Sequence, residues 1–134
     1  MEIKVRDSGS IAIVEAPHRV AATQGASTLR RRLTELMNDG RRQILVELQN
    51  AKYADSFGLA ELAASFNEAQ NRGVTMVFHC PPGRVRELLN VTRLDEVFPI
   101  HEDEQAAIAA VQGTGASAEP SGSEEPSLRP SRRQ

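Results

Sequence analysis

The chain has 134 residues, 40% of them hydrophobic and 25% charged, which is the size and balance of one soluble globular domain with a single core. A net charge of −2, no Trp, one Tyr and four Phe argue against a nucleic-acid partner, which needs basic surface or an aromatic stacking platform. No apolar run approaches the ~20 residues of a membrane span.

In chain order, Glu2 to Arg6 alternates with Ile3 and Val5 on one face, and Ile11-Ala12-Ile13-Val14 follows after Asp7-Ser8-Gly9-Ser10. The pair reads as a β-hairpin. Met1 to Asp7 carries no apolar signal-peptide core, so the expected location is cytoplasmic. Pro17 ends the second strand or marks its edge. His18 to Gly25 has no clear period, with a short strand over Arg19-Val20-Ala21 as one reading. Gly25 and Ser27-Thr28 supply turn and cap residues for a helix with Leu29, Leu33, Leu36 and Met37 on one face, and Gly40 stops it. The run Gln43 to Leu48 is apolar at Ile44, Leu45, Val46 and Leu48, the pattern of a strand covered on both faces. After a tight turn comes a helix striped with Leu59, Leu62, Ala63, Phe66 and Ala69, closed by Gly73. Val74 to Phe78 is another fully covered strand. Pro81-Pro82-Gly83 turns into a shorter helix with Val85, Leu88 and Leu89 inward, and Val97 to Ile100 is a short extended piece. Glu102-Asp103-Glu104 opens a last helix through Ala107, Ile108 and Val111, with its acidic residues at the positive end of the helix dipole.

The order β-β-α-β-α-β-α-(β)-α over residues 1–112 predicts an α/β fold, a single domain whose mixed β-sheet has helices packed on it. The unit from Gln43 to Phe78 is expected to be a parallel, right-handed crossover. It is too short for a dinucleotide-binding fold and lacks that fold's glycine-rich phosphate loop. Residues 113–134 turn to Gly, Ser, Pro, Glu and Arg, a composition that cannot offset the entropy of ordering, and are expected to be disordered.

The stretch Lys52-Tyr53-Ala54-Asp55-Ser56-Phe57-Gly58-Leu59 joins a strand to a helix and places a carboxylate and a hydroxyl at the helix start. The unpaired N–H groups there make such a turn a common place for chemistry. Asp55 reads as the N-cap and Ser56 as a first-turn residue. Gly58 inside a helix is unfavourable by about 1 kcal/mol relative to Ala, and a close approach by another backbone would explain it and mark a contact surface. As a hydrolase nucleophile Ser56 would want Gly two residues earlier, where Ala54 stands, and a His and carboxylate in a triad. The three His, at 18, 79 and 101, show no such arrangement. They form no helical ligand pair and there is no metal-site cysteine spacing, so nothing calls for a metal or another cofactor. The single cysteine, Cys80, excludes an internal disulfide and reads as a structural thiol in a reducing compartment. Arg30-Arg31-Arg32 and Arg41-Arg42 read as solvated faces rather than a basic patch.

Asp55-Ser56-Phe57-Gly58-Leu59 after a strand resembles the Asp-Ser-Ser/Thr-Gly-Leu signature of STAS domains of the anti-sigma factor antagonist type. Asn71-Arg72-Gly73-Val74, Arg84 to Leu89 and Leu94 to Ile100 resemble the family's later segments. The resemblance implies a non-enzymatic binding protein whose partner is an anti-sigma factor serine kinase of the histidine-kinase-like ATPase fold. It places phosphorylation on Ser56 and partner contacts on Asp55, Ser56, Phe57, Gly58 and Leu59, with Ala21 and Thr23 in the facing stretch. Two positions depart from the pattern. Phe57 replaces the usual Ser or Thr, as either an interface anchor or a core residue, and Ala21 stands where an acidic residue is usual. Both departures fit a second reading, a STAS accessory or scaffold subunit of a lipid-transport ABC complex or a stress-signalling assembly, not switched at Ser56.

Overall fold

A computed structural model describes residues 3–114 of the chain. The hairpin forms as expected: β1 (Lys4–Ser8) and β2 (Ile11–Glu15) pair antiparallel, with Ser8 opposite Ile11 across the Gly9-Ser10 turn. There follow β3 (Arg19–Val20), α1 (Ala26–Asn38), β4 (Gln43–Glu47), β5 (Tyr53–Ala54), α2 (Ser56–Asn71), β6 (Thr75–His79), α3 (Arg84–Val91), a 3-10 turn (Leu94–Glu96), β7 (Ile100–His101) and α4 (Glu104–Thr114). Five strands form one mixed sheet in the order β1-β2-β4-β6-β7, parallel except for β1.

The near-continuous apolar runs of β4 and β6 are buried because both faces of the sheet are covered. One face carries Ala12, Val14, Ile44, Val46, Met76 and Phe78 against the apolar stripes of α1, α2 and α3. The other carries Ile11, Ile13, Leu45 and Val77 against Ala107 and Val111 of α4. On the first face Phe78 stacks on Phe98 with ring centroids 4.4 Å apart, and Phe66 lies 5.4 Å from Phe98. Because Phe98 packs inward, the expected extended piece begins as a turn with Val97 exposed, and only Ile100–His101 joins the sheet.

Three further expectations are corrected. The cap of α1 is Gly25, with no side-chain cap, so Ser27 and Thr28 lie inside the first turn. The last helix starts at Glu104, where the Asp103 carboxylate accepts the Ala106 N–H at 3.0 Å, and it runs through Gly113 to Thr114. The remainder of the segment expected to be disordered lies outside the described residues. Within the arginine runs Arg31 and Arg42 are exposed as expected, but Arg30 of α1 is half-buried and reaches Glu61 and Glu68 of α2, and Arg41 pairs with Asp7. Cys80 is buried, and burial pushes its thiol up to about 11, which fits a structural thiol.

Candidate functional site

The strand-to-helix turn is built on a second, two-stranded sheet that sequence period alone did not reveal. β3 and β5 pair in parallel, Arg19 beside Tyr53 and Val20 beside Ala54. The Lys52 N–H donates to the His18 carbonyl at 2.8 Å, and the Asp55 N–H donates to the Val20 carbonyl at 3.3 Å. This pairing presents Asp55 at the mouth of α2. Its backbone is extended (φ −113°), and its two oxygens serve two elements. Oδ1 accepts the Gly58 N–H at 2.8 Å and caps the helix; Oδ2 accepts the Ala22 N–H at 3.0 Å and ties down the loop before α1. These backbone donors, Ala22 first and Gly58 second, hold the Asp55 carboxyl below its ordinary value.

Gly58 is required, but not by a partner. A Cβ there would lie 1.8 Å from the Val20 carbonyl oxygen, so the close backbone is the chain's own β3. The close backbone approach expected of this glycine is therefore made within the chain. Gly25 does the same from the other side: its φ is +94°, and a Cβ would lie 1.9 Å from the Arg19 carbonyl oxygen. Two glycines thus clamp the short β3 against the helix starts.

On this frame Ser56 is the first residue of α2 and is exposed, as is Thr23 in the tied loop. Phe57 points outward at 43% exposure, which decides between its two readings against a core position. Leu59 and Ala21 are buried, so they shape the surface from beneath. Ala21 closes the loop by exchanging backbone hydrogen bonds with Gln24. Two neighbours were missed in the sequence. Tyr53 is 37% exposed, and the Arg19 guanidinium lies 4.3 Å above its ring. Their signal was available only through the β3–β5 register, which two-residue strands do not announce.

Chemically the turn offers an exposed hydroxyl at the positive end of a helix, beside an exposed aromatic. Among the described residues no imidazole is hydrogen-bonded to Ser56. Both ring nitrogens of His79 are engaged elsewhere, by the Glu47 carboxyl and the Glu102 carbonyl. Glu47 was also passed over, although a charged residue within the doubly covered run Ile44 to Leu48 was the signal that it must be buried. Among the described residues, no helix is long and apolar enough to cross a membrane.

A family model for the STAS domain matches residues 2–107. Among solved structures, an anti-sigma factor antagonist from Mycobacterium paratuberculosis is similar with a TM-score of 0.71 at 21% identity, over 83% of this chain and 93% of that one. A putative anti-sigma factor antagonist from Thermotoga maritima gives 0.73 at 20% identity, over 82% and 94%. The anti-sigma factor antagonist SpoIIAA in its unphosphorylated form gives 0.63 at 12% identity over 84% and 99%. The phosphorylated Bacillus form gives 0.61 at 11% over 81% and 99%. No curated protein matches the chain.

Proposed function

Because this chain belongs to the STAS domain family, we propose that it is a non-enzymatic anti-sigma factor antagonist. It docks an anti-sigma factor serine kinase through the start of α2 and is switched by phosphorylation of Ser56. The observation that carries this reading is the exposure of Ser56 at the first position of a helix whose cap, Asp55, is engaged by backbone donors on both sides. The hydroxyl is free to be modified while the turn that presents it is fixed.

The physics of the switch follows from that placement. A phosphate adds about −1.5 to −2 charge to a surface that must be desolvated for docking. At the same time the helix N-terminus tolerates an anion, so the domain keeps its fold while the partner is released. The likeness to both the unphosphorylated and the phosphorylated form of SpoIIAA supports a fold that survives the modification. Phe57 supplies the apolar anchor beside the switch, with Thr23 on the facing loop. Asp55 and Ala21 act through the backbone they fix, and Gly58 and Leu59 by seating α2.

The test is to incubate the protein with its cognate kinase and ATP, map phosphate by mass spectrometry, and measure kinase binding. Ser56→Ala is expected to bind constitutively and Ser56→Asp poorly, while Phe57→Ala weakens binding at least tenfold with unchanged stability. Phosphate absent from Ser56 while a control antagonist is modified, or both Ser56 variants binding as the parent does, would remove the switch.

A further inference from the structure

The surface around the α2 start is basic, although the chain as a whole carries a net charge of −2. Three stretches meet there: residues 18–24 around β3, residues 49–56 around β5, and residues 80–86 leading into α3. β3 and β5 are paired, and β5 packs on α3. Together these stretches hold Arg19, Lys52, Arg84 and Arg86 against a single carboxylate, Asp55. The next acids along α2 and α3 are Glu61, which Arg30 holds at 3.7 Å, and Glu87.

Arg19, Lys52 and Arg84 are exposed, and among the described residues none of them pairs with a carboxylate. Arg19 lies over the Tyr53 ring, and Lys52 Nζ reaches the Gln49 carbonyl at 3.5 Å. Lys52 and Arg84 line one small cavity with Arg86, whose Nη1 is buried without a hydrogen bond and stands 3.9 Å from Glu102. Asp55 offsets little of this charge, because its oxygens already accept the Ala22 and Gly58 N–H groups. Elsewhere the pattern differs. Arg6, Arg30, Arg41 and Arg72 each meet a carboxylate; Arg31 and Arg42 lack one, but they stand singly on α1 and ahead of β4.

Gathered like charges repel one another, and nothing within the domain relieves them here; a partner of opposite charge does. Exposed Tyr53 and Phe57 beside them supply the aromatic contacts of a protein interface. Four cations on a chain of negative net charge are a small footprint for a nucleic acid. We infer that the protein docking at the α2 start presents an acidic face, its carboxylates meeting Arg19, Lys52 and Arg84 around Tyr53. This rests on the reading of that turn as a docking surface and adds the chemistry of the partner. Exposed ion pairs are weak once formed and are screened by salt, so these cations act on encounter more than on lasting affinity. A phosphate on Ser56 lowers the positive potential over the same surface, and so slows encounter with an acidic face.

The test is the association rate of the full chain with its cognate kinase, measured by stopped flow without ATP at low and high salt. Each of Arg19→Glu, Lys52→Glu and Arg84→Glu is expected to slow association about threefold or more at low salt. The three together are expected to slow it about tenfold or more and to flatten its salt dependence, while Arg42→Glu leaves it within about twofold. A triple variant that associates as the parent does, or an Arg42→Glu that slows association as much as Lys52→Glu, overturns the acidic face and leaves docking at Ser56 standing.

A kinase that does not bind the parent removes the docking reading instead. In that case, or if the triple variant does not fold, the charge of the surface is decided on the parent alone. Decaglutamate is expected to shift the amide resonances of Arg19, Lys52, Tyr53 and Arg84 before those of Arg31 and Arg42. Shifts that are absent, or spread equally over all of these, overturn the inference. Larger shifts with an oligothymidylate of matching charge overturn it in favour of a nucleic acid.

Discussion

Asp55 is the residue on which the candidate site depends, because its two oxygens tie the start of α2 to the loop before α1. Its carboxyl is held below its ordinary value of 3.8, so the stability it contributes is present above that pH and disappears as pH falls through the lower folded value. Asn in its place keeps one acceptor oxygen and turns the other position into a donor that faces a backbone N–H. Asp55→Asn is therefore expected to lower the melting temperature at neutral pH, and to make the melting temperature less dependent on pH below the ordinary Asp value than in the parent. Melts monitored by circular dichroism across the acid range check both features; an unchanged neutral melting temperature would mean that the double bond is not stabilising. The capping role was legible in the sequence, since Asp directly before an apolar helix is a common cap. Its second bond was not, because Ala22 lies far away in sequence and a backbone N–H leaves no mark on residue identity. Phe57 was undecidable for a related reason: position two of a helix faces inward or outward according to how the helix is seated, and Gly58 and Leu59 do the seating.

At the scale of elements, the short β3 decides how α1 and α2 begin. It has two residues, of which Val20 is buried in the core and Arg19 is exposed, and the pair of glycines lets the helix starts touch its carbonyl groups. This gives a prediction whose sign opposes propensity. In an exposed helix interior Gly→Ala is stabilising by about 1 kcal/mol. At Gly58 the new Cβ would lie 1.8 Å from a backbone oxygen, which cannot rotate away, so α2 or β3 must move. Gly58→Ala is expected to destabilise the domain by about 1–3 kcal/mol, the usual range for overpacking, and to release the Asp55–Ala22 bond as β3 shifts. Denaturant unfolding measures the first and amide exchange at Ala22 the second. The sequence showed an anomalous glycine here but not the direction of the approach. Long elements with strong periods, such as β2, β4, α1, α2 and β6, were readable because each repeats its burial signal several times. β3 and β5 consist of two residues each, too few to repeat anything, and the site rests on them.

Across the whole molecule, the sheet joins two layers of unequal thickness, three helices on one face and α4 alone on the other. The doubly covered strands were evident from their apolar runs, yet the runs could not show which helix lies on which face, since that depends on crossover geometry. The thicker layer is closed by three phenylalanine rings from different elements: Phe66 of α2, Phe78 of β6 and Phe98 between the 3-10 turn and β7. Phe98 is buried to 3% exposure and is the only one of the three outside regular structure, so its ring fixes the path by which the chain leaves one layer for the other. Truncating it removes the stacked contact with Phe78 and leaves a cavity that the packed rings cannot collapse into. Phe98→Ala is therefore expected to cost about 3–5 kcal/mol, the usual loss for a buried phenylalanine. Because β7 and the Glu102 carbonyl follow within a few residues, α4 is also expected to lose exchange protection at lower denaturant than β4. Urea unfolding followed by circular dichroism, with exchange read at both elements, checks the pair of outcomes. A loss below about 1 kcal/mol would show that the ring is not a core residue. An equal loss of protection in both elements would show that the two faces unfold as one unit and that Phe98 does not couple them.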